Sequence, residues 1–416
     1  MMFLQYFALG AWIVPLTRYL QTPSPDGGLS FSPIQAGWVY MTFAIGALVA
    51  PLVVGLLADR WFAVERVIAA TNLVMAALLG VAAWWCDKHD GAATAAEEVV
   101  GPLFLALLGY AIGCQITLTL SNVISFRNLD ASNGVFWYVR LTGTFGWIVA
   151  GMVVGLALKP VSPQPLFLAA GASFLAAAVA LVLPHTPPKG YGRPISEVIG
   201  LPAAKMLGSR SFVVFAVVLF VANLMNQFYT LFTGPYLHAL GVSRPELVMT
   251  LAQWCEIGCM ASTPLLLRRF GFKFVLMLGL AGFVLRNALL CSGNAPWLVA
   301  VALPMHGWSY AFYGMVGAHF VDREASPHLR AGAQALVTFL ANGPAVLVGN
   351  LLASRVVERY RNEGLTDWEA VWFVPLAGYV LAFAVFAILF REPPPATIIE
   401  ERKTVGDTPD PLSGSR

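Results

Sequence analysis

The chain has 416 residues, 58% of them hydrophobic and only 11% charged, with a formal net charge of +3. Soluble domains carry about 25% charged residues, so this composition excludes an ordinary soluble protein and points to the membrane class. The net charge is too small to imply a nucleic-acid partner, none is expected, and no basic block stands out from the loops.

A membrane-spanning helix needs about 20 mostly apolar residues. The first such run starts at once, in MMFLQYFALGAWIVPL. It lacks the basic stretch of a cleavable signal and is read as a retained first helix over 2–20. Eleven more apolar runs follow, at 34–57, 64–86, 98–124, 133–158, 164–184, 211–237, 245–267, 272–291, 296–321, 330–354 and 368–390. Some connections are very short, as at 58–63 and 268–271. The longest internal hydrophilic segment, 185–210, divides the spans six and six. The tail 391–416 is polar, proline-rich and read as disordered. The expected fold is therefore an all-α membrane protein of twelve transmembrane helices in two six-helix bundles, 1–184 and 211–390, joined by the linker 185–210.

Orientation follows from the lysines and arginines at the span ends. Sixteen lie in the even-numbered loops and the tail, from Arg60 and Arg66 to Arg402, Lys403 and Arg416, against seven on the opposite side, from Arg18 to Arg361. Both termini and the linker are accordingly expected in the cytoplasm. The five cysteines, Cys86, Cys114, Cys255, Cys259 and Cys291, are odd in number and contain no CxxC pair. Neither a disulfide framework nor a metal site is expected, and no cofactor is implied.

The two halves echo each other: LLADRWFAVERVI (56–68) follows the second span and LLRRFGFKFVL (266–276) the eighth. An internal repeat with a long linker is a hallmark of secondary transporters, whose site lies where the repeats meet.

Polar side chains inside spans usually face a cavity, and residues three or four apart share a helix face. The fourth span offers Gln115, Thr119 and Asn122; the fifth Arg140 and Thr144; the seventh Asn223, Gln227 and Thr230; the eighth Gln253 and Glu256. The tenth presents His306, Tyr310 and Tyr313 on one face, with His319 near its cytoplasmic end. The eleventh carries Thr338 and Asn342, then Gly343-Pro344, which should kink it. Small polar residues can equally bond helix to helix, at roughly 0.6 kcal/mol each, so Thr119, Thr338 and Asn342 read either way. Gln227 and Gln253 favour a cavity. Tyr310 and Tyr313 are aromatic packing or a cavity wall, His306 is a core residue or a proton carrier, and Arg286 pairs with a backbone carbonyl or snorkels. Glu256 is the carboxylate deep inside a predicted span. Burying it costs several kcal/mol unless it is paired or neutralised, so it is either a structural ion pair or a cavity-facing, proton-sensitive ligand.

GLLADR (55–60) resembles the loop motif of the major facilitator superfamily, with WFAVE in place of the usual glycine and basic cluster. The second copy, RRFGFK (268–273), keeps the glycine and bases but lacks the acid. LQYFALGAW (4–12), RLTGTFGWI (140–148), LPHTP (183–187), QWCE (253–256), SPHLRAGAQ (326–334) and GLTDWEAVW (364–372) resemble the nucleoside:proton symporter family of bacterial nucleoside permeases. The resemblance spans the chain. It implies a monomeric, multi-pass protein of the bacterial cytoplasmic membrane that moves nucleosides by alternating access, coupled to protons.

In those permeases an arginine and a threonine on helix five line the substrate site, with polar residues on helix seven, a Gln/Glu pair on helix eight and an aromatic on helix ten. The matching residues here are Arg140, Thr144, Gln227, Gln253, Glu256 and Tyr310, and Thr230 stands where the family typically has an asparagine. The family's aspartate after the helix-ten aromatic is here Ala311. Either Glu256 carries the proton, or a histidine does, or the protein is a uniporter or prefers another polar solute such as a sugar. The resemblance also implies that helices five and eight meet between the halves, so Arg140 and Glu256 are expected to approach each other. An enzyme is disfavoured: the spans contain no HExxH, GxSxG or paired-carboxylate cluster.

Overall fold

The computed structural model describes residues 1–57, 61–90, 92, 95–129, 135–159, 161–188, 196, 200–293, 295–326, 329–362 and 364–392. The acid and base of GLLADR, most of the predicted linker and nearly all of the tail lie outside the described residues.

Hydrocarbon offers no hydrogen-bond partners, so each apolar run must satisfy its own backbone, and a helix does this within one segment. Helices accordingly occupy every predicted run. The first half contains α1 (Met2–Gln21), α2 (Pro33–Leu57), α3 (Val64–Lys88), α4 (Ala95–Asn128), α5 (Val135–Ala157) and α6 (Gln164–Ala180). After a 3-10 segment at Leu201–Gly208 come α7 (Arg210–Ala239), α8 (Pro245–Met249), α9 (Leu251–Cys291), α10 (Pro296–Ala302) and α11 (Pro304–Ser309). A π-helical turn, Tyr310–Met315, leads to α12 (Val316–Glu324), followed by α13 (Arg330–Asn342), α14 (Pro344–Arg359) and α15 (Trp368–Leu389). Before α15, β1 (Arg361–Asn362) and β2 (Leu365–Thr366) form an antiparallel hairpin. Eight helical stretches among the described residues are long and apolar enough to cross a membrane, and α6 is a shorter apolar helix.

Three breaks shape the second half. The stretch Pro245–Cys291 is 47 residues, or about 70 Å of helix, more than twice the hydrocarbon thickness. It is interrupted at Gly271, whose φ of 76° and ψ of 177° leave the helical region. The acid missing from RRFGFK arrives there from a distant part of the chain: the Glu392 carboxylate accepts from the Phe272 and Lys273 amides, at 3.1 Å each, and from Arg323 at 3.3 Å. It thereby caps the helix that starts after the break. At Gly343, with φ −93° and ψ −94°, α13 ends and Pro344 opens α14. Proline suits that first position because its missing N–H would have had no partner there. The third break is the π-helical turn.

The helix contacts repeat from half to half. α1 packs on α5 and α6, α2 on α4, and α3 on α4 and α6. In the second half α7 packs on α14 and α15, and α9 on α11, the π turn and α15. The first half meets the second through α1 against α7, α2 against α14 and α5 against α8. At the end bearing the linker, Glu65 accepts from His185 Nδ1 at 2.7 Å and from the Thr186 amide at 3.0 Å, which ties the LPHTP stretch to the start of α3.

Candidate functional site

The site is assembled by close backbone packing. A Cβ on Gly307 would lie 2.6 Å from the Glu256 nitrogen and would collide with the Ala252 carbonyl, so only glycine lets α11 lie this close to α9. Tyr310 follows Gly307 by three residues and so lies near the same face. In the first half, α5 brings Arg140 over the ring of Tyr6 on α1, with the guanidinium carbon 4.6 Å from the ring centroid.

These four residues from both halves share one electrostatic neighbourhood. The Arg140 charge acts on Glu256, and both act on the hydroxyls of Tyr6 and Tyr310. Arg140 and Glu256 thus act on each other across the halves, and no ion pair closes between them among the described residues. Tyr310 keeps 43% of its surface accessible.

The other candidates divide. Thr144 and Gln253 are half-buried, and neither side chain makes a hydrogen bond among the described residues. Gln227 is buried, and its amide donates to the Asn223 carbonyl at 3.0 Å. Thr230 is half-buried and donates to the Asn226 carbonyl at 3.2 Å. The Gln227 side-chain oxygen has no hydrogen-bond partner among the described residues. Thr119 and Asn223 bond to carbonyls of their own helices, at Gln115 and Leu219. Thr338 and Asn342 are exposed.

Tyr310 and Tyr313 do not share a wall. Tyr313 is buried against Phe215, Phe283 and Phe386, and Phe312 is buried beside Trp308. The π turn changes the angular step per residue, which separates side chains that a regular helix would align. Ala311 is fully buried on the same turn. His319 is exposed and stacks on Phe272.

Arg286 neither snorkels nor, among the described residues, pairs with a backbone carbonyl. It is fully buried and donates to His306 Nδ1 at 2.8 Å, Asn226 Oδ1 at 3.3 Å and the Tyr379 hydroxyl at 3.4 Å. Its guanidinium also lies 4.4 Å from the Tyr229 ring centroid, and Tyr229 stacks on His306. A guanidinium can only donate, so His306 Nδ1 is the acceptor and that nitrogen is not free to carry a proton in this arrangement.

Two features escaped the sequence reading. Tyr6 sits in the noted stretch LQYFALGAW, but nothing in its spacing couples it to Arg140. Arg18, a span-end charge in the sequence, is buried and lies 3.8 Å from the buried Glu246. This pair joins the halves at the end remote from the linker, where Arg18 also donates to the Ser243 carbonyl and Arg244 to that of Leu156.

Comparison with known proteins gives the family. Residues 1–394 match the nucleoside H+ symporter family. The chain belongs to that family. YegT of Escherichia coli (strain K12) is 33% identical over 411 residues, covering 94% of this chain and 92% of its own length. The xanthosine permease of the same organism is 30% identical over 405 residues, covering 92% and 93%. Among solved structures, an aspartate-to-alanine variant of the nucleoside transporter NupG superposes with a TM-score of 0.83 at 26% identity, covering 94% of this chain and 98% of that one. As a member of the symporter family, the chain is a multi-pass membrane transporter of nucleosides, with the multi-helix fold of the NupG structure.

Proposed function

We propose that the chain imports nucleosides as a monomer of twelve membrane crossings in two six-helix bundles, 1–184 and 211–390, with both termini in the bacterial cytoplasm. The helix contacts that recur from half to half support this arrangement, and the excess of basic residues on the linker side supports the orientation. The halves are bonded together at the end remote from the linker, through Arg18, Glu246 and Arg244. That end is the outer one in this orientation, so the conformation is inward-facing.

A nucleoside is neutral, with a flat base and a ribose carrying hydroxyls. In this reading Tyr310 offers the base an aromatic surface. Gln253 and the Gln227 side-chain oxygen read its edge, with Thr144 and Thr230 as further polar contacts. Glu256 accepts from the ribose hydroxyls, and Arg140 supplies the opposing charge. With Ala311 in place of an acid, the proton is assigned to Glu256. A single observation carries this proposal: Arg140 of the first half and Glu256 and the accessible Tyr310 of the second act on one another electrostatically, without an ion pair closing among the described residues. A charge pair held apart leaves room for a solute and for a proton that alters their attraction.

The test is uptake of labelled uridine and adenosine, against sugars, in proteoliposomes with and without an imposed pH gradient. Nucleoside accumulation driven by inward proton flow supports the reading. Equal uptake with and without the gradient makes the protein a uniporter, and preferential sugar uptake overturns the substrate assignment.

A further inference from the structure

Arg361, together with Leu365, Thr366 and Trp368 of GLTDWEAVW, lies apart from the residues assigned to the central site and borders a separate cavity of about 820 Å3 at the outer end of the bundle. Both halves contribute: Arg18 and Asp26 from the first, His238, Arg361, Thr366 and Trp368 from the second. The volume lies within the range of small-molecule sites, about 300–1,000 Å3. Arg18 lies twelve residues beyond Tyr6 on α1, which places it about 18 Å outward of the Arg140 level. The buried Arg18–Glu246 contact, at 3.8 Å, thus lies between the cavity and the chamber below.

The lining has the chemistry of a polar, ring-bearing solute. Trp368 packs on Tyr236 and Trp372 but is only half-buried, so part of its indole borders the cavity. Arg361 is half-buried and Asp26 exposed, and neither side chain has a polar partner among the described residues. One cation and one anion, with Arg18 already engaged by Glu246, suit a neutral ligand with donors and acceptors better than an anion.

We propose that this cavity is an outer docking site where a nucleoside waits while the central chamber faces inward. The base stacks on Trp368, and the ribose hydroxyls bond to Asp26 and Arg361. The site rests on the nucleoside reading above and adds a second position to it. It exists only while the Arg18–Glu246 seal is closed, because the seal separates it from the chamber.

The test is equilibrium dialysis of radiolabelled uridine, up to millimolar concentration, against the full chain in lipid nanodiscs. Wild type should bind a second, weaker equivalent. The double variant Arg140→Ala/Glu256→Gln should keep only the weak one, and Asp26→Ala/Arg361→Ala should lose only the weak one. In the central-site double variant, uridine should also slow labelling of an added Thr366→Cys by a membrane-impermeant maleimide. A single equivalent that vanishes in the central-site variant and persists in Asp26→Ala/Arg361→Ala overturns the outer site and leaves nucleoside transport standing. Absence of uridine and adenosine binding to wild type overturns both.

Discussion

Gly307 and Glu256 meet backbone to backbone: a side chain on the first would sit 2.6 Å from the amide nitrogen of the second. This contact sets how closely α11, which leads into the π turn at Tyr310, lies against the stretch of α9 that carries Glu256. Gly307→Ala should therefore cost about 1–3 kcal/mol by overpacking and lower nucleoside affinity as well. Thermal unfolding in detergent, paired with a binding isotherm, checks both. Full stability and affinity would mean that the helices can separate without consequence.

Tyr310 is an accessible aromatic at the site, whereas Phe312 and Tyr313 are spent on the core. Tyr310→Ala should weaken nucleoside binding roughly 3- to 10-fold, the loss expected for an aromatic stacking contact. Tyr310→Phe should bind nearly as wild type. If alanine and phenylalanine behave alike, the ring is not the surface that the base uses.

Glu256→Gln keeps the shape of the side chain and removes its charge. Binding should persist with reduced affinity, while accumulation against a gradient and its dependence on external pH should both disappear. Proteoliposome uptake at two external pH values decides. Wild-type pH dependence in this variant would return the coupling role to another group.

Arg286 holds His306, Asn226 and Tyr379 while lying over Tyr229. A lysine cannot reproduce that planar fork. Arg286→Lys should therefore lose about 2 kcal/mol, the scale of a charged hydrogen bond, by chemical denaturation in detergent. An unchanged midpoint would show that the cluster contributes little to the fold.

Alternating access requires the outer contacts to part. A Cβ on Gly37 would lie 2.9 Å from that of Ser354, across the halves on α2 and α14. A Gly37→Cys/Ser354→Cys pair joined by an oxidant should halt uptake, and a reductant should restore it. Undiminished transport by the cross-linked protein would rule out separation of the halves at this point.

The positions of the helices were legible in the sequence because the bilayer imposes them: an apolar run of about 20 residues leaves water as a helix whatever it later packs against. The break at Gly343 was legible for a similarly local reason, since Pro344 cannot continue the hydrogen bonds of the preceding turn. Glu256 stood out because a carboxylate in such a run needs a purpose. The partners of these residues were not legible. Tyr6 meets Arg140, Arg18 meets Glu246, and Glu392 caps the helix after Gly271, in each case across more than a hundred residues. The separation of Tyr310 from Tyr313 depends on a π turn that the residue pattern did not announce. Hydrophobicity decides which segments enter the membrane. Which side chains meet there depends on how closely glycine-bearing surfaces fit and how each helix is rotated, and the tertiary structure alone determines both.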